Sequence, residues 1–299
     1  MQKNTTMILL CDCGSTKAEW VLLDGAKVEK RFITDGFNPN FSDNNIMNDI
    51  VKQSLTNVVD YHDVSEVYFY GSGCGIAANQ VKVKLIFSNF YPLSKVEVYP
   101  DTLAACHALF GDKPGIACIL GTGSNACVYD GSTITESVAS LGFMIGDEGS
   151  GCHIGKRIVH DYFLGIMPDD LRTKFDAKYH LDREAFLKKV YQGEQPSRFL
   201  AEFAKFASEN VDNQYVVKAV GECFDAFVNS SFRPTVGSGE ISNKFTNIGF
   251  VGSVAYIFKD ILVKCLEKHN IKCEKILKNP MEGLIEYYKD QNAMESLIL

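Results

Sequence analysis

The chain has no G-x-x-x-x-G-K-[ST] stretch, which excludes a P-loop as its means of holding a nucleotide. It has no block of Lys and Arg, and its net charge is −7, which argues against nucleic acid as a partner. Apolar runs are short. The opening MQKNTT carries one basic residue before a short apolar strand, too little for a signal peptide or a membrane span. The ten cysteines show neither C-x-x-C pairing nor a His-rich partner. Cys11 and Cys13 flank Asp12, and alternation along a strand turns both to one face. They read as small buried hydrophobes in a reducing cytoplasm, not as metal ligands. There is no low-complexity segment and no solenoid repeat. The expectation is a cytoplasmic protein without a membrane segment.

What the chain does contain is one design used twice. MILLCDCGSTKAEWVLLDG begins at Met7 and GIACILGTGSNACVYDG begins at Gly115. Each joins two apolar strands through a turn rich in Gly, Ser and Thr and ends in an Asp-Gly turn, Asp24-Gly25 or Asp130-Gly131. The backbone N–H groups of such a turn have no ladder partner and are available to an anion. Two facing turns would grip a nucleotide's phosphates from both sides. Gly121, Gly123 and Ala126 match the looser dinucleotide fingerprint, but a strand follows them where that fingerprint needs a helix, so the Rossmann reading fails.

With 299 residues, 46% apolar and 22% charged, the chain has room for two domains sharing one cleft. Strands are expected near 6–12, 18–24, 27–33, 67–70 and 96–99, and helices over 43–58, 77–90 and 102–110. That order suggests a mixed sheet with an antiparallel edge and a parallel centre. GDKPG at 111–115 is a turn cluster and a natural boundary. Beyond the second hairpin, helices are expected over 152–164, 168–178, 183–192, 197–209 and 212–232. A polar loop follows at 234–244, then a strand over 246–251. Gly252-Ser253 then leads into a helix ending near Asn270, and a final helix starts at 281.

Asp101 follows a strand end and opens a helix. It suits a helix N-cap, and it also stands where open α/β folds place reactive groups. A carboxylate there can accept a proton from a sugar hydroxyl as that oxygen attacks phosphorus. Asp12, at the end of the first strand, is placed either to hold magnesium through water or to stabilise the turn, and Lys17 beyond the turn either to meet phosphate charge or to lie solvated on the surface. Asp147 and Glu148 lie between glycines in the segment from Leu141 to Gly151, which suits either close backbone approach to a polar ligand or a plain loop with a helix N-cap. Gly71-Ser72-Gly73-Cys74-Gly75 reads as a tight strand-to-helix connection.

Together these motifs resemble the sugar-kinase branch of the superfamily that contains actin, heat-shock chaperone ATPases and hexokinase. The match is nearest to the N-acetylglucosamine kinase group, with its BadF/BadG-type ATPases. Asp12-Cys-Gly-Ser-Thr-Lys17 resembles the family's first phosphate motif, and Gly121-Thr-Gly-Ser-Asn125 its second. Gly146-Asp-Glu-Gly-Ser150 is similar to the segment that holds the amino sugar, and Gly249-Phe-Val-Gly-Ser253 to the adenosine motif.

The resemblance implies an α/β protein of two ribonuclease-H-like domains with an interdomain nucleotide and sugar cleft. The first would cover 1–112, completed by a C-terminal helix 281–299, and the second 113–280. It implies ATP and Mg2+ as cofactors, with ATP at Gly14, Ser15, Thr16, Lys17, Gly121, Thr122, Gly123, Gly252 and Ser253. The sugar would meet Asn38, Asp101, Ser124, Asn125, Gly142 and Asp147, with Asp101 as catalytic base; Asn40 competes with Asn38 for its place. Where other members show an aromatic after the sugar-binding Asn and a Gly-Trp-Gly-type stretch, this chain has Phe41 and Leu141-Gly-Phe143. The acceptor is accordingly N-acetylglucosamine, another hexosamine, N-acetylmuramic acid or an unfamiliar metabolite. A small-molecule sugar is the expected partner, and a homodimer is left open.

Two rivals stand beside this reading. One is an iron–sulfur ATPase that activates dehydratases. It needs a cluster cysteine in a K-C-x-x-G-T-G stretch, to which Cys152 is the nearest approach, without the surrounding motif. The other is a nucleotide-dependent sensor without kinase activity, against which Asp101 argues.

Overall fold

The computed structural model describes residues 7–15, 17–55, 59–232 and 247–298, so the expected ATP contact Thr16 and the 234–244 loop lie outside the described residues. The chain divides into two compact units, Met1–Gly111 with Pro280–Leu299, and Asp112–Asn279.

In the first unit, short and nearly continuous apolar runs make β1 (Met7–Cys13) and β2 (Lys17–Asp24), and β3 (Lys27–Asp35) follows across the Asp24-Gly25 turn. The helix α1 (Asn44–Leu55) leads to β4 (Val64–Gly71), then α2 (Ala77–Phe90), β5 (Lys95–Pro100) and α3 (Asp101–Phe110). The sheet order is β3-β2-β1-β4-β5, with β1, β4 and β5 parallel and the other two antiparallel. Trp20, Phe37, Phe69 and Phe87 fill one face of this sheet. The C-terminal helix α12 (Met281–Ile298) returns to pack on α3. Gly283 permits that approach, since a Cβ there would stand 2.3 Å from the Ala108 carbonyl oxygen.

The second unit repeats the plan. β6 (Gly115–Leu120), β7 (Ser124–Tyr129), β8 (Ile134–Ser137), β9 (Ile248–Val251) and β10 (Lys275–Leu277) are ordered β10-β9-β6-β7-β8. β6 pairs antiparallel with β7 and parallel with β9, as β1 does with β2 and β4. The duplication visible in two hairpins therefore extends to two whole sheets.

Between β8 and β9 lie α4 (Gly151–Phe163), α5 (Asp169–Tyr179), α6 (Arg183–Gln192), α7 (Pro196–Ala201), α8 (Ala204–Glu209) and α9 (Gln214–Phe227), the last extended by a π turn to Phe232. α10 (Ser253–Ile257) and α11 (Lys259–Lys268) separate β9 from β10. A cluster around Phe175, Phe203, Phe206, Phe224 and Phe250 forms this unit's core.

Several local expectations change. The single helices expected over 197–209 and from 253 to 270 are each broken, because Phe203 and Phe258 turn inward and are buried at the breaks. β8 and β10 are additional strands. Their short, partly polar segments carry little pattern of their own and form by pairing with β7 and β9. α1 begins at Asn44, where the Asp43 carboxylate caps it by accepting the N–H groups of Asn45 and Ile46.

All nine cysteines within these elements and their turns up to Cys265 are buried, and Cys273 is half-buried. Among the described residues, Asp225, Cys265 and His269 form the group whose ligand atoms would converge on an ion. Asp225 accepts from Cys265 Sγ at 3.3 Å, Lys268 Nζ at 2.7 Å and His269 Nε2 at 2.8 Å. Lys268 supplies the counter-charge, and burial pushes the Cys265 thiol up to about 12. The cluster is a hydrogen-bonded clip between α9 and α11. No described helix is long and apolar enough to cross a membrane.

Candidate functional site

In the first unit the parallel register aligns three strand ends. Asp12 stands level with Tyr70, which stands level with Tyr99; Cys13, Gly71 and Pro100 form the next row. Asp12, Ser72 and Asp101 therefore come to one edge of the sheet, outside the carboxyl ends of its parallel strands, where open α/β sheets bind ligands.

Asp101 is half-buried and is the first residue of α3, with Pro100 in the extended cap position. The N-cap expectation is thus displaced by one residue. Its carboxylate instead accepts the Ser72 hydroxyl at 2.9 Å. Burial holds its pKa above the ordinary carboxylate range, opposed by the hydrogen bonds from Ser72 and the Thr102 N–H. Asp12 is pushed up to about 7, first by burial, then by repulsion from Asp101 and Glu19, with Lys17 opposing. Asp12 faces more negative charge than its neighbours balance. A hard dication held through water fits such a carboxylate.

The first turn is shaped by glycines. Gly14 N–H donates to Lys17 O at 2.9 Å. A Cβ on Gly36 would stand 2.0 Å from the Gly14 carbonyl oxygen, so the 36–42 loop lies against the turn. Ser15 and Lys17 are exposed. Asn38 Nδ2 donates to Ser15 Oγ at 3.3 Å, and Asn38 Oδ1 accepts the Asn40 N–H at 3.0 Å. Asn40 Oδ1 is taken by Asn79 Nδ2 at 2.7 Å. The Asn38 side chain is therefore joined to the first glycine turn, whereas the Asn40 side chain is joined to α2.

In the second unit, Gly121 N–H donates to Gly123 O at 2.9 Å. The first amides of α4 dock on the same turn, Gly151 N–H on Gly121 O at 2.8 Å and Cys152 N–H on Thr122 O at 3.1 Å. Gly252 has φ +131°, and a Cβ there would lie 2.1 Å from the Leu120 carbonyl oxygen; exposed Ser253 begins α10 beside it. A Cβ on Gly121 would meet nothing within 4 Å, so a ligand can reach that backbone.

Asp147 takes the left-handed conformation, φ 60°, and its Oδ1 accepts the Ser124 N–H at 3.0 Å. Burial raises its pKa and the Ser124 N–H opposes the rise. Ser124 and Gly121 thus already have partners, and the expectation that every N–H of the two turns stands open is corrected on these two and on Gly14. Asn125 Oδ1 accepts the Ala126 N–H at 2.8 Å. Gly142, φ +72°, accepts the Gly146 N–H at 2.8 Å, and Lys156 Nζ donates to Phe143 O at 2.6 Å. These bonds fasten the loop that carries Asp147 and Glu148. Cys152 is fully buried and its thiol is pushed up to about 11, as suits a packing residue.

Two sheets of the same order, each with a glycine turn after its first strand, define the actin-like ATPase fold of paired ribonuclease-H-like domains. No model of a known protein family matches the chain, and no curated protein does. Solved structures do match. A candidate N-acetylglucosamine kinase of Porphyromonas gingivalis is 34% identical, with 95% of this chain and 99% of that one covered and a TM-score of 0.88. The chain belongs to the N-acetylglucosamine kinase-type family of this fold. A candidate N-acetylglucosamine kinase of Chromobacterium violaceum shares the fold at 13% identity and TM-score 0.70, covering 94% of this chain and 98% of that one. So does a ROK family glucokinase of Streptomyces griseus, solved with glucose and AMPPNP, at 15% identity and TM-score 0.54, covering 94% and 97%.

Proposed function

We propose that this protein is an ATP-dependent sugar kinase that phosphorylates a hydroxyl of an amino sugar, N-acetylglucosamine or a related hexosamine. The observation that carries the reading is the register that brings Asp12 and Asp101 to one sheet edge beside the first glycine turn. Family membership supports it.

In this reading Gly14, Ser15, Lys17, Gly121, Thr122 and Gly123 hold the phosphates, and Gly252 and Ser253 the nucleoside. Asp12 holds Mg2+ through water; the dication supplies neutralisation of phosphate charge. Asp101 accepts the proton of the acceptor hydroxyl as its oxygen bonds to the γ-phosphorus. Asn38, Ser124, Asn125, Gly142 and Asp147 orient the sugar. Phe143, Met144 and Lys156 border a cavity of about 310 Å3 that continues along α4 to Phe163.

The test is ADP release from ATP and Mg2+ across a panel of hexoses, hexosamines and N-acylated hexosamines. Release stimulated by an amino sugar, with a sugar phosphate recovered, is expected. ADP release indifferent to every sugar would replace the kinase with a nucleotide-dependent activator or sensor.

A further inference from the structure

The short loop after β4 touches each part of the first unit's site. Ser72 N–H donates to Cys13 O at 2.9 Å, at the end of the strand that carries Asp12. Ser72 Oγ donates to Asp101 Oδ2 at 2.9 Å. Gly73 follows with φ +82°, and a Cβ there would stand 2.2 Å from Asn38 Oδ1. The Ser72 backbone is thus anchored to β1, while its hydroxyl reaches across to the first residue of α3.

A carboxylate base works only when one oxygen faces the acceptor and its plane is held there. Asp101 begins its helix with two side-chain torsions, and the N–H groups at that helix start bind its carboxylate from the α3 side alone. The Ser72 hydroxyl, 2.9 Å from Oδ2, holds it from a second element. We propose that Ser72 is a positioning residue for phosphoryl transfer, holding the Asp101 carboxylate in the plane that meets the acceptor hydroxyl. This rests on the reading of Asp101 as the base.

In the step, the acceptor O–H bond breaks and its proton passes to Asp101. The acceptor oxygen bonds to the γ-phosphorus, and the bond from that phosphorus to ADP breaks with its electron pair leaving on ADP. Ser72 keeps its own proton throughout. Its hydrogen bond also favours the charged carboxylate against the burial that disfavours it, so more of Asp101 is ready to accept a proton.

The experiment compares Ser72→Ala, Ser72→Thr and both substitutions in an Asp101→Asn background, in the full chain. Ser72→Ala is expected to lower kcat about 10- to 100-fold, the effect of one lost hydrogen bond to a charged group, with the ATP KM within about twofold. Ser72→Thr, which keeps the hydroxyl, is expected to recover most of the rate. In the Asp101→Asn background the alanine substitution should cost less than about twofold more, because the two residues act as one unit. Full, independent losses in the double variant would overturn the proposal, as would a defect confined to KM. Crystal structures of wild type and Ser72→Ala supply a readout that needs no turnover. The Asp101 carboxylate should leave its wild-type orientation in the variant; an unmoved carboxylate defeats the proposal whatever the enzyme phosphorylates. A wild-type protein inactive on every sugar defeats the kinase reading instead, and the carboxylate's orientation then decides Ser72 separately.

Discussion

Asp147 Oδ1 accepts the backbone N–H of Ser124 at 3.0 Å, so the loop before α4 is fastened to the turn after β6. Gly123 is what lets the two meet, since a Cβ there would press on that carboxylate at 2.9 Å. Substitutions at the two glycines of this turn should therefore behave differently. Gly121→Val fills open space and should weaken ATP binding by about tenfold or more with little change in melting temperature. Gly123→Val displaces Asp147 and should impair both ATP and sugar binding. Calorimetry on the two variants checks this; unchanged ATP affinity in Gly121→Val would remove the turn from the nucleotide site.

Asp147 itself can be dissected. Asn tolerates the left-handed conformation and keeps an oxygen for Ser124, whereas Ala loses the oxygen and is strained at φ 60°. Asp147→Asn should raise the sugar KM while leaving the ATP KM nearly unchanged. Asp147→Ala should raise both, the sugar KM by roughly tenfold or more, as expected when a buried partner is left unpaired. Steady-state kinetics with the best sugar separates the two roles.

Asn38 and Asn40 differ in their partners, and their variants should differ in kind. Asn38→Ala frees Ser15 and should raise the KM of the sugar by roughly tenfold. Asn40→Ala loosens only the link to Asn79 on α2 and should leave the sugar KM within about threefold. The reverse order would transfer the sugar contact to Asn40.

Asp101→Asn keeps the side chain's size and its acceptor for Ser72. The variant should melt near the wild-type temperature and bind ATP normally, with kcat lower by about two to four orders of magnitude. Normal turnover in a folded Asp101→Asn protein would leave Asp101 without a role as base.

Asp12 should make stability depend on pH. Its folded pKa is raised from 3.8 to about 7, so the folded chain binds a proton that the unfolded chain releases. That contribution is complete below about pH 4 and is lost as pH rises through about 7. In EDTA, Asp12→Asn should melt several degrees above wild type at pH 8 and match it at pH 4. Added Mg2+ should raise the wild-type melting temperature at pH 8 and leave the variant unmoved. A difference independent of pH would show that the Asp12 charge is already balanced.

Some of this protein is written locally. The short apolar runs of Met7–Cys13, Lys17–Asp24 and Gly115–Leu120, closed by Gly, Ser and Thr, specify strands and hairpins locally. The same is true of Val96 to Pro100 leading into Asp101, a strand end meeting a helix start within a few residues. The motifs on the two hairpins point to the family only in combination with Gly146 to Ser150 and Gly249 to Ser253.

Other features have no local signal. β8 and β10 are short edge strands whose polar or mixed sequences form only because β7 and β9 offer a ladder. The helix breaks at Phe203 and Phe258 follow from burial of those rings in the second unit's core. In the sequence Ser72 is one small residue in a glycine loop, and Asp147 a carboxylate between glycines. Their partners, Asp101 and the Ser124 N–H, lie 29 and 23 residues away in sequence. A residue's own chemistry and its near neighbours decide which element it joins. Which hydrogen-bonding group then faces it is decided by the register of distant strands, and that exists only once the sheets have formed.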